Sequence, residues 1–447
     1  MSSTGQHLSS KHIEIMDGRL AGTPTQGTLT QGQVRSRPPR NKSQASAGVA
    51  PLTPFSHGSQ KFQPLPEPIG QPPFHYDLAT ALPGIEETAA QLGKLVFHVV
   101  GDTGGVKSPE YQAEVAAAMK GDLNKPEAER PRFFYHLGDV VYYNGQVEAY
   151  YGQFYEPYDH YDAPIIAIPG NHDGDPIDNT QTSLDGWSRY FMTSQTRINP
   201  EGHDAQRSTL SLPNPYFTLN CPFATMIGVY SNVPEQGSID SVQQQWLTHE
   251  FATAPREKAL LVAIHHPIYS FDDHHSGSPR MADALQHAIN DSRRLPNLVF
   301  GAHVHNYQRI ERSLVAGVQT PFLVAGNGGY FHLHGMNTGP VTANGAAAPG
   351  TQASHGTGGS RGSGGSHGSG GSHGKHDPVI KDEDTGAHLI FSNHTNHGYC
   401  TITVDQHTIS GSVDLVEEVK YPAISAADTF SYPAGAIFLP GGVTVSL

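Results

Sequence analysis

Five short stretches of this chain carry residues able to hold a metal ion or move a proton, and each follows an apolar run. They read Gly101-Asp102-Thr103-Gly104-Gly105, Gly138-Asp139-Val140-Val141-Tyr142, Gly170-Asn171-His172-Asp173, His265-His266-Pro267 and Gly301-Ala302-His303-Val304-His305. Taken singly, each has an ordinary explanation, because Gly-Asp after a strand commonly makes a turn in which the aspartate bonds nearby backbone. Taken together they offer carboxylate, amide and imidazole donors without cysteine, a set suited to iron, manganese or zinc rather than to Cu(I) or calcium. The donors outnumber what one tetrahedral ion accepts. Two ions ~3.5–4 Å apart that share a carboxylate would absorb them, and such pairs serve displacement at phosphorus by holding both the nucleophile and the phosphate oxygens. Phosphoester hydrolysis is the reaction this chemistry suggests.

The elements that must position these residues are legible upstream of each. Leu95–Val100, Arg132–Leu137, Pro164–Ile168, Ala259–Ile264 and Leu298–Phe300 are short and apolar on consecutive positions, as strands buried on both faces are. Pro109–Lys120, Ile239–Phe251 and Arg280–Ser292 have helical apolar spacing and no interior proline. Strand–helix–strand alternation predicts an α/β fold with parallel sheet, in which ligands gather beyond the carboxyl ends of the strands.

In order and spacing these motifs resemble the calcineurin-like metallophosphoesterases, and within them the purple acid phosphatases, over roughly residues 93 to 330. The resemblance implies a sandwich of two central β-sheets flanked by helices. It assigns the first metal to Asp102, Asp139, Tyr142 and His305, and the second to Asp139, Asn171, His265 and His303, with Asp139 as the bridge. His172 would face the phosphate as a catalytic residue, and His274 and His275 would contact substrate from a loop. General members open with Asp-x-His, whereas Gly104 stands two residues after Asp102; Tyr142, three after Asp139, resembles the tyrosine that completes the site in purple acid phosphatases. A phenolate ligand implies Fe(III) in that site with a charge-transfer colour, and Fe, Zn or Mn as the divalent partner. His266 offers an alternative to His265, one residue away. Ala302 replaces the glycine usual before the first histidine of the last motif, and both histidines are expected to keep their place.

The activity so implied is that of an acid phosphomonoesterase using a metal-bound hydroxide, with a rate optimum in mild acid, where histidine gains its proton. A phosphodiesterase acting on nucleotides or lipids would use the same ligands, and a non-catalytic phosphate-binding scaffold would keep the fold alone. The substrate expected is a phosphorylated small molecule.

Composition bounds the rest. Over 447 residues the formal net charge is −14, which excludes a general nucleic-acid coat. Residues 1–75 are rich in Ser, Gln, Gly and Pro and carry seven basic against three acidic residues, the pattern of a disordered arm able to dock an acidic partner. Residues 340–378 form a Gly/Ser/His-rich insert that reads as flexible coil in a surface loop. The core is then 76–339, completed by strands in 379–447. Cys221 and Cys400 permit at most one disulfide. The polar start shows no secretory signal, and no apolar run approaches the ~20 residues of a membrane span, so a cytoplasmic home is the default expectation.

Overall fold

The computed structural model describes residues 61–337, 380–382, 384–417 and 421–447. The expected insert 340–378 and the first sixty residues of the expected arm lie outside them. The described chain opens with β1 (His75–Asp77), β2 (Lys94–Val100), β3 (Phe134–His136), β4 (Ile165–Ala167), β5 (Phe217–Asn220) and β6 (Ala224–Val229). It continues with β7 (Ala259–Ile264), β8 (Arg294–Leu295), β9 (Leu298–Gly301), β10 (Tyr307–Val315) and β11 (Val318–Ala325). The C-terminal part adds β12 (Ile380–Lys381), β13 (His388–Asn393), β14 (Gly398–Asp405), β15 (Thr408–Leu415), β16 (Ile424–Pro433) and β17 (Ile437–Phe438).

Two large sheets organise most of these strands, one in the order β1-β5-β6-β7-β9-β11-β10-β13-β12 and the other β16-β15-β14-β2-β3-β4, while β8 and β17 pair in a two-stranded ribbon. In the first, β6, β7, β9 and β11 run parallel; in the second, β2, β3 and β4 do. β7 is buried along its whole length, as its unbroken apolar sequence requires. The C-terminal strands β14 to β16 extend the second sheet antiparallel from β2, and β13 extends the first from β10, so residues after 379 complete both sheets.

Helices cover the sheets: α1 (Leu78–Ala81), α2 (Ile85–Leu92), α3 (Pro109–Asp122), α4 (Asn171–Gly174), α5 (Asp185–Phe191), α6 (Ser241–Thr253) and α7 (Pro279–Ser292). The start of α6 is set by Asp240, whose carboxylate accepts from the backbone N–H of Gln243, so the helix begins two residues later than its apolar pattern suggests. Ser278 caps α7 in the same way ahead of Pro279. No helix among the described residues is long and apolar enough to cross a membrane. Cys221 and Cys400 are both free and buried.

The ordered chain starts earlier than composition suggests. Ile69 and Gly70 donate backbone hydrogen bonds to the carbonyl of Pro213, the Trp246 indole donates to Pro73, and Phe74 packs edge-on against Tyr216. A few aromatic and backbone anchors hold this Pro-rich strip where hydrophobic periodicity has nothing to show.

Candidate metal centre

The ends of β2, β3, β4, β7 and β9 deliver Asp102, Asp139, Asn171, His265 and His303 to one place. Both sheets contribute: the Gly101 N–H donates to Ala325 from one sheet to the other, while Asp102 donates to Gly138 and Ala302 to His265 between strand ends of the same sheet. Asp102, Asp139 and His303 all hold left-handed backbone, with φ of 54°, 53° and 65°. Asp and His tolerate that region better than most residues, and such strain gathers at functional sites.

Two groups of donors form there. In the first, the Tyr142 hydroxyl lies 3.0 Å from Oδ1 of Asp102 and 3.3 Å from Nε2 of His305, which is itself 3.6 Å from Asp102 Oδ1. In the second, Oδ1 of Asn171 meets Nε2 of His265 at 3.0 Å and Nδ1 of His303 at 2.9 Å. Asp139 stands between them. Its Oδ1 accepts from the His172 backbone N–H, while Oδ2 is buried with no hydrogen-bond partner and 3.4 Å from Nε2 of His265.

This arrangement fits cations better than it fits itself. His265 donates Nδ1–H to the carbonyl of Leu137, so a neutral ring turns its Nε2 lone pair toward the oxygens of Asn171 and Asp139. Without an ion the ring must carry both protons: burial alone would lower its pKa, but the carboxylates of Asp139 and Asp102 outweigh burial and hold it at about 9. Asp139 is kept well below the usual carboxylate range because His265 and His172 outweigh its burial. Burial and the neighbouring carboxylates push the Tyr142 phenol well above its ordinary value. An ion between these lone pairs would replace those protons.

Tyr142 also explains the missing histidine of the first motif. A Cβ at Gly104 would lie 2.7 Å from the Tyr142 ring and 2.5 Å from Oε1 of Gln153, so the ring takes the space that a side chain at 104 would need. Gln153, in a single π-helical turn over Tyr151–Tyr155, clamps Tyr142 by accepting its N–H and donating to its C=O, both at 2.8 Å. Ala302 is accommodated in a similar way: its methyl faces Gly101, where a Cβ would come within 2.7 Å of it, and His303 and His305 stay in the cluster.

His172 donates Nδ1–H to the Tyr143 carbonyl at 2.8 Å and leans on Tyr142 with ring centroids 4.6 Å apart. His265 rather than His266 faces the donors; His266 Nδ1 pairs instead with the Ser231 hydroxyl at 2.7 Å. His275 stands 4.6 Å from the His303 ring, whereas His274 packs beside His275 and the outer histidine His334, with centroids 5.8 and 4.9 Å away. Both backbone N–H groups of that loop bond Oδ1 of Asp272 at 2.7 Å, which fixes the turn.

Several neighbours had not been expected. His334 lies against His305 with centroids 4.5 Å apart, and Tyr330 packs on both His305 and Tyr142. Asp173 accepts from the backbone of Val140, Val141 and Gly170, bracing the Asp139 turn against the Asn171 turn. Burial and Asp139 raise its pKa to about 7. Glu235 pairs with His275 at 2.6 Å and lies 3.5 Å from Nε2 of His303. Asp173 stands within a motif already singled out, and His334 ends the His332-Leu333-His334 pattern just past Gly329; Glu235 has no local signal.

Residues 95–307 match the family model described as calcineurin-like phosphoesterase. That part of the chain belongs to this family. The calcineurin-like match thus spans every donor named above. No curated protein matches the chain significantly. Among solved structures, a purple acid phosphatase from yellow lupin (Lupinus luteus) shares 15% identity and a TM-score of 0.49 over 76% of this chain. The chain spans 53% of that protein's length. GAP50, described as the anchor in the inner membrane complex of Plasmodium, shares 14% identity over 76% of this chain and 89% of its own, with a TM-score of 0.47. PhoD shares 12% over 78% and 73%, with a TM-score of 0.43.

Proposed function

We propose that this chain is a dinuclear metal-dependent acid phosphomonoesterase of purple acid phosphatase type. The observation that carries the reading is the pair of donor groups flanking Asp139, whose buried Oδ2 has no hydrogen-bond partner. Asp102, Asp139, Tyr142 and His305 would hold Fe(III), and Asp139, Asn171, His265 and His303 a divalent Fe, Zn or Mn ion. Ions bound there would polarise a phosphoryl oxygen and lower the pKa of water.

The chain's own residues set the rest. Two carboxylates and a phenolate do not neutralise a trivalent and a divalent cation, so the loaded site keeps positive charge for a phosphate dianion. His172, anchored through Nδ1, leaves Nε2 to carry a proton to the departing alkoxide. His275, and His274 behind it, would contact the phosphate from the rim. The substrate class is a phosphorylated small molecule.

The test is initial rates on an aryl phosphate monoester and the matching diester from about pH 4 to about pH 9, with Asp139→Asn as control. Monoester turnover with an acid optimum, lost by a factor of about 10² or more in the control, is the expected result. Tyr142→Phe should also abolish the visible absorption band. Diester preference would replace the monoesterase reading with a phosphodiesterase one, and an optimum above about pH 8.5 would overturn the ferric assignment.

A further inference from the structure

At the outer edge of the centre one carboxylate reaches two histidines that belong to different parts of the proposed machinery. Glu235 lies in the segment between β6 and α6, remote in sequence from both. Its Oε1 accepts from Nδ1 of His275 at 2.6 Å and lies 3.5 Å from Nε2 of His303. The rings of His275 and His303 are themselves 4.6 Å apart.

The His303 side is decided by tautomer. Nδ1 of His303 converges with Nε2 of His265 on Oδ1 of Asn171, so Nδ1 is the atom turned to the second ion. A ligating Nδ1 must be unprotonated, which puts the proton on Nε2, the nitrogen that faces Glu235. Metal-bound histidines gain orientation and basicity when the other ring N–H points to a carboxylate. On the His275 side the bond is short and fixes the ring beside His303.

Glu235, His275 and His303 could also be read as ligands of a further ion, since their donor atoms lie within 4.8 Å of one another. The 2.6 Å separation of Glu235 Oε1 and His275 Nδ1 argues against it. Two donors on one ion at bonds of about 2.0–2.2 Å stand roughly 3.3 Å apart in a tetrahedral site, whereas 2.6 Å is a hydrogen bond.

We propose that Glu235 is a positioning residue that joins the second metal half-site to the substrate-contacting loop: its Oε1 seats His275 by a hydrogen bond, and its charge, 3.5 Å from the otherwise unpartnered Nε2 of His303, favours the tautomer with the proton on that nitrogen. The inference rests on the dinuclear reading above. Its test is metal affinity, measured on full-length protein stripped of metal and titrated with Zn²⁺ against a chromophoric chelator. Wild type should bind two equivalents. Glu235→Gln should weaken one of them by roughly tenfold, the lower end of what such outer partners contribute because this carboxylate is half exposed, and leave the other unchanged. His275→Gln should leave both affinities as in wild type while raising KM several-fold at nearly constant kcat.

Equal affinities in Glu235→Gln and wild type would overturn the proposal while leaving the dinuclear reading intact. So would a third equivalent lost only in Glu235→Gln, which would make the cluster a metal site in its own right, or a loss in His275→Gln as large as that in Glu235→Gln. Failure of wild type to bind two equivalents would overturn the dinuclear reading and this inference together. Because Glu235 is half exposed, the variant should fold, and its melting curve with both sites saturated checks this.

Discussion

His265 shows how far the metal-free site is from rest. Its ring is fully buried, and the folded chain holds its pKa at about 9 against the ordinary 6.5. A folded-state pKa above the unfolded one means that the charged ring stabilises the fold fully below about pH 6.5, and that this stability is lost as pH rises through about 9. Metal-stripped protein should therefore melt at a lower temperature at pH 9 than at pH 6.5, with a loss on the order of 3 kcal/mol. Metal-loaded protein should show much less of this, since an ion takes over the role of the proton at Nε2. Thermal unfolding of both forms across that range checks it, and an unchanged melting temperature in the stripped protein would remove His265 from the charged cluster.

Between elements, the site depends on how the loop after β2 meets the π-helical turn that carries Gln153. Space at position 104 is already filled by Tyr142, and the Tyr142 backbone is clamped from the other side by Gln153. One added methyl should then act as overpacking: Gly104→Ala should cost about 1–3 kcal/mol in urea unfolding and shift or bleach the visible band assigned to Tyr142. A variant with unchanged stability and spectrum would show that the ring has room to move. Strand length belongs to the same scale. β3 and β4 are only three residues each, so the chain leaves the sheet just where Asp139 and Asn171 are needed.

For the whole molecule, the boundary of the folded region is what composition misjudged. Residues 69 to 77 pair with Pro213 and β5 and receive the Trp246 indole, contacts that a disordered arm ending at 75 would not make. Removing residues 1–60 should leave turnover and melting temperature close to those of the full chain. Removing residues 1–75 should lower the melting temperature by several degrees, because Trp246 loses its acceptor and Tyr216 one of its two aromatic neighbours. Equal melting temperatures for the two truncations would show that this strip is dispensable.

Sequence alone determined the strands, because buried parallel strands are apolar on every position, and the candidate donors follow directly at their carboxyl ends. Asp102, Asp139, Asn171, His265 and His303 could be singled out as candidates for that reason, and Tyr142 only through the resemblance to the purple acid phosphatases. What only the tertiary structure decided is which atoms face which. The choice of His265 over His266 depends on ring direction at the end of β7, which spacing along the chain does not encode. The separation of His275 from His274, the bracing by Asp173 and the stacking of His334 depend on turns held by side chains such as Asp272. Glu235 was invisible because a lone glutamate in a loop has no periodicity, and the partners that give it meaning, His275 and His303, meet it only when β6, β7 and β9 lie side by side in the first sheet.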